Sequence, residues 1–220
     1  MPKTKKYRKY VKLPKLDPAE VRHSVASEDD ERIYQLEKIE GEVLELVNDK
    51  NLEINENIYF EVVNAKTASL FSAACQVRSI SGLGTEAEVN ALKSFGTNFG
   101  MTFQLIDDAI DYSSNKKILG KNTGDDFKEG KITLPIILAY GRSNDKEKKF
   151  WERTISDLNQ NDGDFEMALE IINKYQCIED TLTRANHFSN VAVDSVDIFK
   201  DNIYKEKLVS LVSKSGSRIY

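Results

Sequence analysis

Along this chain the apolar residues return every third or fourth position rather than every second, which is the helical period. Ile33, Leu36, Ile39, Val43, Leu46 and Val47 form one such stripe. A second predicted helix covers 55–79. A long third covers 85–112, in which Phe95, Phe99 and Phe103 recur at every fourth residue. Gly96 and Gly100 lie in that third helix, where the lack of a Cβ lets a neighbouring helix approach closely. A loop rich in Gly and Asn is predicted over 113–131. The helical pattern restarts with Thr133 as the predicted N-cap and Pro135 in the first turn, where a missing N–H does no harm. Amphipathic segments follow at 146–158, 164–175, 177–199 and 204–213, with a loop at 159–163. No segment alternates as a half-buried strand would, so the predicted fold class is all-α, a helical bundle.

The candidate chemistry sits at the end of the third predicted helix. With about 100° of turn per residue, Asp107 and Asp111 stack one above the other and Asp108 lies one step round the same side. At about 5 Å and an effective dielectric near 20, each pair of such carboxylates repels by roughly 3 kcal/mol. A cation would offset that repulsion, and hard oxygen donors that leave room for water and phosphate oxygens suit Mg²⁺. Taken alone, the same Asp-Asp-x-x-Asp pattern also fits a solvated acidic helix face. The next segment adds Lys121, Lys128 and Lys131 in a glycine-bearing loop, followed by a fresh helix N-terminus. Acids to hold a metal, with lysines to hold phosphate oxygens, together suit a metal-bridged diphosphate.

These residues carry a resemblance. Phe103-Gln104-Leu105-Ile106-Asp107-Asp108-Ala109-Ile110-Asp111-Tyr112, then Gly120-Lys121-Asn122-Thr123-Gly124-Asp125-Asp126, then Glu129-Gly130-Lys131-Ile132-Thr133-Leu134-Pro135 resemble the second aspartate-rich motif of the trans-type polyprenyl diphosphate synthases. Ala65-Lys66-Thr67-Ala68 resembles that family's Lys-Thr helix motif. Gly41-Glu42-Val43-Leu44-Glu45-Leu46 resembles its Gly-Glu-x-x-Gln-Leu segment, with Glu45 where Gln is usual. The likeness runs from about Gly41 to the C-terminus and is most like the long-chain, octaprenyl-like branch. It implies an isoprenoid-synthase-type bundle that joins isopentenyl diphosphate to an allylic diphosphate, with Mg²⁺ as cofactor. By position it implies Asp107, Asp108 and Asp111 as metal ligands and Lys66, Lys121 and Lys131 as diphosphate contacts. Thr67 and Gln104 would orient those groups or stabilise the cation region, and Phe103 would line the pocket. Homodimers are usual in the family, so the resemblance implies a homo-oligomer. Lys128, Asp125 and Asp126 are expected to serve the loop itself.

The resemblance is incomplete. The family carries an earlier aspartate-rich motif, and before Gly41 the only acid pair, Asp29-Asp30, is followed by Glu31-Arg32-Ile33-Tyr34 without the third acid. The expectation is therefore a C-terminal half (31–220) whose N-terminal helices are missing, behind a basic, disordered leader (1–30). The alternative to a self-sufficient prenyltransferase is a half-site or non-catalytic helical subunit needing a complementing chain. The net charge of −5 sets most of the chain against nucleic acid as a partner, although Lys3, Lys5, Lys6, Arg8, Lys9, Lys12, Lys15 and Arg22 make the leader basic. No apolar run reaches the roughly 20 residues of a membrane span. Contact with a membrane is expected only peripherally, through a lipid product. No apolar signal region follows the start, and Cys75 and Cys177 read as reduced structural thiols, so a cytoplasmic location is expected.

Overall fold

The computed structural model describes residues 42, 43, 45, 49–113 and 123–216. The expected leader, most of the stripe over 33–47, and Lys121 lie outside the described residues. Among those described there is no strand, in agreement with the all-α expectation. The helices are α1 (Glu56–Val63), α2 (Ser69–Ser81), α3 (Glu86–Asp111), α4 (Asp125–Glu129), α5 (Leu134–Arg142), α6 (Asp145–Trp151), α7 (Asp164–Lys174), α8 (Cys177–Ser195) and α9 (Ile203–Gly216). Two π-helical stretches, Asn64–Ala68 and Glu152–Ser156, interrupt what would otherwise be continuous helix.

Side-chain caps set several of the boundaries. Asn55 accepts from the Ile58 amide at the start of α1. Thr85 with Glu88, and Asn144 with Glu147, form capping boxes at the starts of α3 and α6, each satisfying two amides that have no partner inside the helix. Thr133 occupies the predicted cap position of α5, but its side chain makes no capping bond; Thr133 Oγ1 and Tyr112 OH are buried without a hydrogen-bond partner among the described residues.

Helix α3 is the spine, packed chiefly against α2 and α8. The approach of α2 is set by the two glycines. A Cβ on Gly96 would lie 2.5 Å from the Phe71 carbonyl oxygen, and one on Gly100 would lie 2.6 Å from the Ala68 Cα. Phe95 and Phe99 stack with centroids 6.0 Å apart and join Ala192, Val196 and Val212 in one apolar cluster. The larger cluster surrounds Leu105, Leu134, Ile136, Trp151, Ile155 and Ile172, all essentially inaccessible to solvent. Every residue from Leu134 to Tyr140 is buried, so α5 is held from all sides and fixes the lysine-bearing segment just before it.

Candidate active site

The Lys-Thr pair falls in the π-helical stretch that joins α1 to α2. A π turn inserts an extra residue into the helical repeat and re-aims the side chains on it, a device common at functional sites. Thr67 Oγ1 donates to Gln104 Oε1 at 3.0 Å. That bond fixes the amide's orientation, so Gln104 Nε2 turns one helical turn along α3 and donates to Asp108 Oδ1 at 2.8 Å. The other oxygen, Asp108 Oδ2, accepts from Tyr59 OH on α1 at 2.6 Å. A continuous chain of hydrogen bonds thus links the Lys-Thr turn, the aspartate helix and α1.

Asp108 is buried, and burial pushes its pKa up to about 6. Lys131 and the bonds from Tyr59 and Gln104 work against that rise, while Asp126 adds to it. Tyr59 is driven well above its ordinary value, first by burial and then by the Asp108 charge. Burial opposes the charge on Lys131, yet Asp108 and Asp126 more than compensate, and its pKa is raised. Lys131 Nζ donates to Asp126 Oδ1 at 3.0 Å. Lys66 Nζ donates to Glu45 Oε2 at 2.5 Å.

Asp111 does a different job from its neighbours on the stripe. Its two carboxylate oxygens accept the backbone amides of Asp125 at 3.3 Å and Asp126 at 3.1 Å, capping the short helix α4. Gly124 (φ 84°) and Gly130 (φ 70°) bracket that helix in left-handed conformations. Asp125 and Asp126, expected to serve the loop, offer their amides to Asp111 and accept from Lys128 and Lys131 within the same segment.

One cleft of about 570 Å³ gathers Lys66, Thr67, Gln104, Asp107, Asp108 and Lys131, with Glu45 and Tyr59 also on its wall. Of the residues singled out from sequence, these lie together. Lys121 lies outside the described residues. Phe103 does not line this cleft: its ring sits 5.6 Å from that of Phe71, on the side of α3 that faces α2. Sequence reasoning missed Tyr59, although it lies on the same helical stretch as Lys66, and it missed Glu45 as the partner of Lys66. Among the described residues no three His, Cys, Asp or Glu side chains converge tightly enough to enclose a metal. Carboxylate oxygens that each accept one hydrogen bond still keep lone pairs. The donors present therefore fit an open Mg²⁺ site, in which one or two carboxylates suffice and water or phosphate oxygens supply the rest.

The profile of the family described as polyprenyl synthetase matches residues 21–172. Octaprenyl diphosphate synthase of Haemophilus influenzae is 38% identical over 181 residues, covering 82% of this chain and 55% of that protein. A decaprenyl diphosphate synthase from Rhodobacter capsulatus superposes with a TM-score of 0.81 at 36% identity, covering 86% of this chain and 58% of its own. A polyprenyl synthase from Caulobacter crescentus, solved with calcium and isoprenyl diphosphate, also gives a TM-score of 0.81 at 36% identity, covering 93% of this chain and 60% of its own. The chain thus spans little more than half the length of the relatives it matches.

Proposed function

Since this chain belongs to the polyprenyl synthetase family, we propose that its cleft binds an allylic diphosphate for condensation with isopentenyl diphosphate to a long-chain polyprenyl diphosphate. The observation that carries this reading is that Asp107 and Asp108 share one cleft with Lys66 and Lys131. Acids and lysines on the wall of one cavity suit a ligand that presents both a cation and anionic oxygens. In the proposed reaction the allylic C–O bond breaks with its electron pair leaving on diphosphate. The alkene of isopentenyl diphosphate then forms the new C–C bond, and a proton is lost.

Asp107 and Asp108 would hold Mg²⁺, with Asp111 on the same stripe contributing through whatever capacity its capping bonds leave. When bound, the ion offsets charge accumulating on the departing diphosphate. Lys66 and Lys131 would donate to the diphosphate oxygens, and those bonds strengthen as the leaving group gains charge. Gln104, held by Thr67, keeps the Asp108 carboxylate in a fixed orientation. Tyr59 closes the buried side of the same carboxylate. A further diphosphate contact is proposed for Lys121.

Pairing with a second copy or a complementing chain is proposed across the outer face of α2, where Leu70 and Val77 are 53% and 39% exposed. No helix among the described residues is long and apolar enough to cross a membrane. We place the protein in the cytoplasm, touching membranes only through its lipid product, with no nucleic-acid partner.

The test is transfer of radiolabelled isopentenyl diphosphate to farnesyl diphosphate with Mg²⁺, supplied with the full chain. Long-chain product that disappears in Asp107→Ala/Asp108→Ala supports the reading. Product that persists undiminished in that variant contradicts it.

A further inference from the structure

Glu45 stands where the resembled family usually has Gln. Its charge works against an anionic ligand at the Lys66 end of the cleft, and of the acids on the wall it is the one paired with Lys66 among the described residues. Its Oε2 lies 2.5 Å from Lys66 Nζ. Its charge also reaches Lys131, where it helps hold the ammonium protonated. One carboxylate therefore acts on both described lysines that the diphosphate would use, and all three residues line the same cleft. The pair is solvent-accessible, with side-chain exposures of 42% for Lys66 and 36% for Glu45. An accessible ion pair of this kind contributes little net stability and opens readily for a competing ligand.

Building on the diphosphate reading above, we propose that Glu45 discriminates against metal-free diphosphate, by occupying Lys66 in the empty cleft and repelling the bare anion on entry. A metal-complexed diphosphate carries less net negative charge, so the same carboxylate penalises it less. Entry of the complex transfers Lys66 from Glu45 to a phosphate oxygen. Glutamine at this position has the same shape without the charge, so Glu45→Gln isolates the electrostatic effect. Because the position is accessible, the substitution leaves the packed core untouched.

The experiment is calorimetric titration of inorganic diphosphate into the full chain, once in EDTA and once with Mg²⁺, for the wild type, E45Q, K66A, K131A and E45Q/K66A. Removing one carboxylate a few ångströms from the anion in a partly solvated cleft should tighten metal-free binding by roughly tenfold. The Mg²⁺ complex should gain no more than about threefold, its net charge being smaller. The E45Q gain in EDTA should shrink in the K66A background, since the two residues are coupled. E45Q that matches the wild type, or that tightens both forms equally, overturns the proposal while leaving the diphosphate reading intact, provided K66A weakens binding. If neither K66A nor K131A weakens diphosphate binding, the diphosphate reading fails and the proposal falls with it.

Discussion

Asp108 shows how much of the site rests on a single side chain. Its ordinary pKa of 3.8 rises to about 6 in the fold, so between those values the folded state binds more protons than the unfolded one. Stability then falls as pH rises through that window, by roughly 3 kcal/mol in total for this group. Urea unfolding in EDTA between pH 4 and pH 7 should show that loss, and Asp108→Asn should remove it; an unchanged slope in the variant would contradict the assignment. Mg²⁺ competes with the proton for the same oxygens, so its stabilising effect should be larger at pH 7 than at pH 5. Tyr59→Phe deletes a donor to a buried carboxylate and should cost about 1–3 kcal/mol by chemical denaturation. From sequence, the three aspartates were legible because helical spacing alone puts them on one stripe. Their division of labour was not. That Asp111 caps α4 and Asp108 is clasped by Tyr59 and Gln104 depends on contacts between elements distant in the chain.

Helices were legible as elements wherever the apolar period was long and their ends carried caps. The recurrence of phenylalanine at every fourth residue placed the third helix at 85–112, within a residue of the observed ends of α3. The π turn over Asn64–Ala68 left no trace in the sequence, because one extra residue in a helical repeat needs no Gly or Pro to announce it. Its effect is to present Lys66 and Thr67 to Gln104 and Glu45. For Phe103, periodicity puts it on α3 but does not say which neighbour it meets; its ring lies against Phe71. The α2–α3 contact makes a sharper test. Gly96→Ala and Gly100→Ala force a methyl into backbone atoms at 2.5 and 2.6 Å, and each should destabilise by at least about 1–3 kcal/mol. Gly141 lies on α5 with nothing within 4 Å of an added Cβ. Gly141→Ala should instead stabilise by about 0.5–1 kcal/mol, through the helix preference for alanine. Thermal unfolding of the three variants, ranked in that order, checks the packing.

At the scale of the whole molecule, the bundle brings α1, the π turn, α3 and the segment before α5 to one cleft, with acids from α3 and lysines from its neighbours. The fold class followed from periodicity alone, whereas the cleft required the packing of segments far apart in sequence. Light scattering should find an assembly larger than one chain, and charged substitutions at Leu70 and Val77 should disperse it if the α2 face is the contact. The central claim is that this cleft holds a metal-complexed allylic diphosphate. Calorimetric titration of farnesyl diphosphate into the full chain tests it most directly, with and without Mg²⁺, for the wild type and Asp107→Ala/Asp108→Ala. The account predicts binding that depends on Mg²⁺ and weakens by roughly tenfold to a hundredfold in the variant, as expected for losing charged contacts to a ligand. Equal affinity in EDTA and Mg²⁺, unchanged by removal of both aspartates, would contradict it.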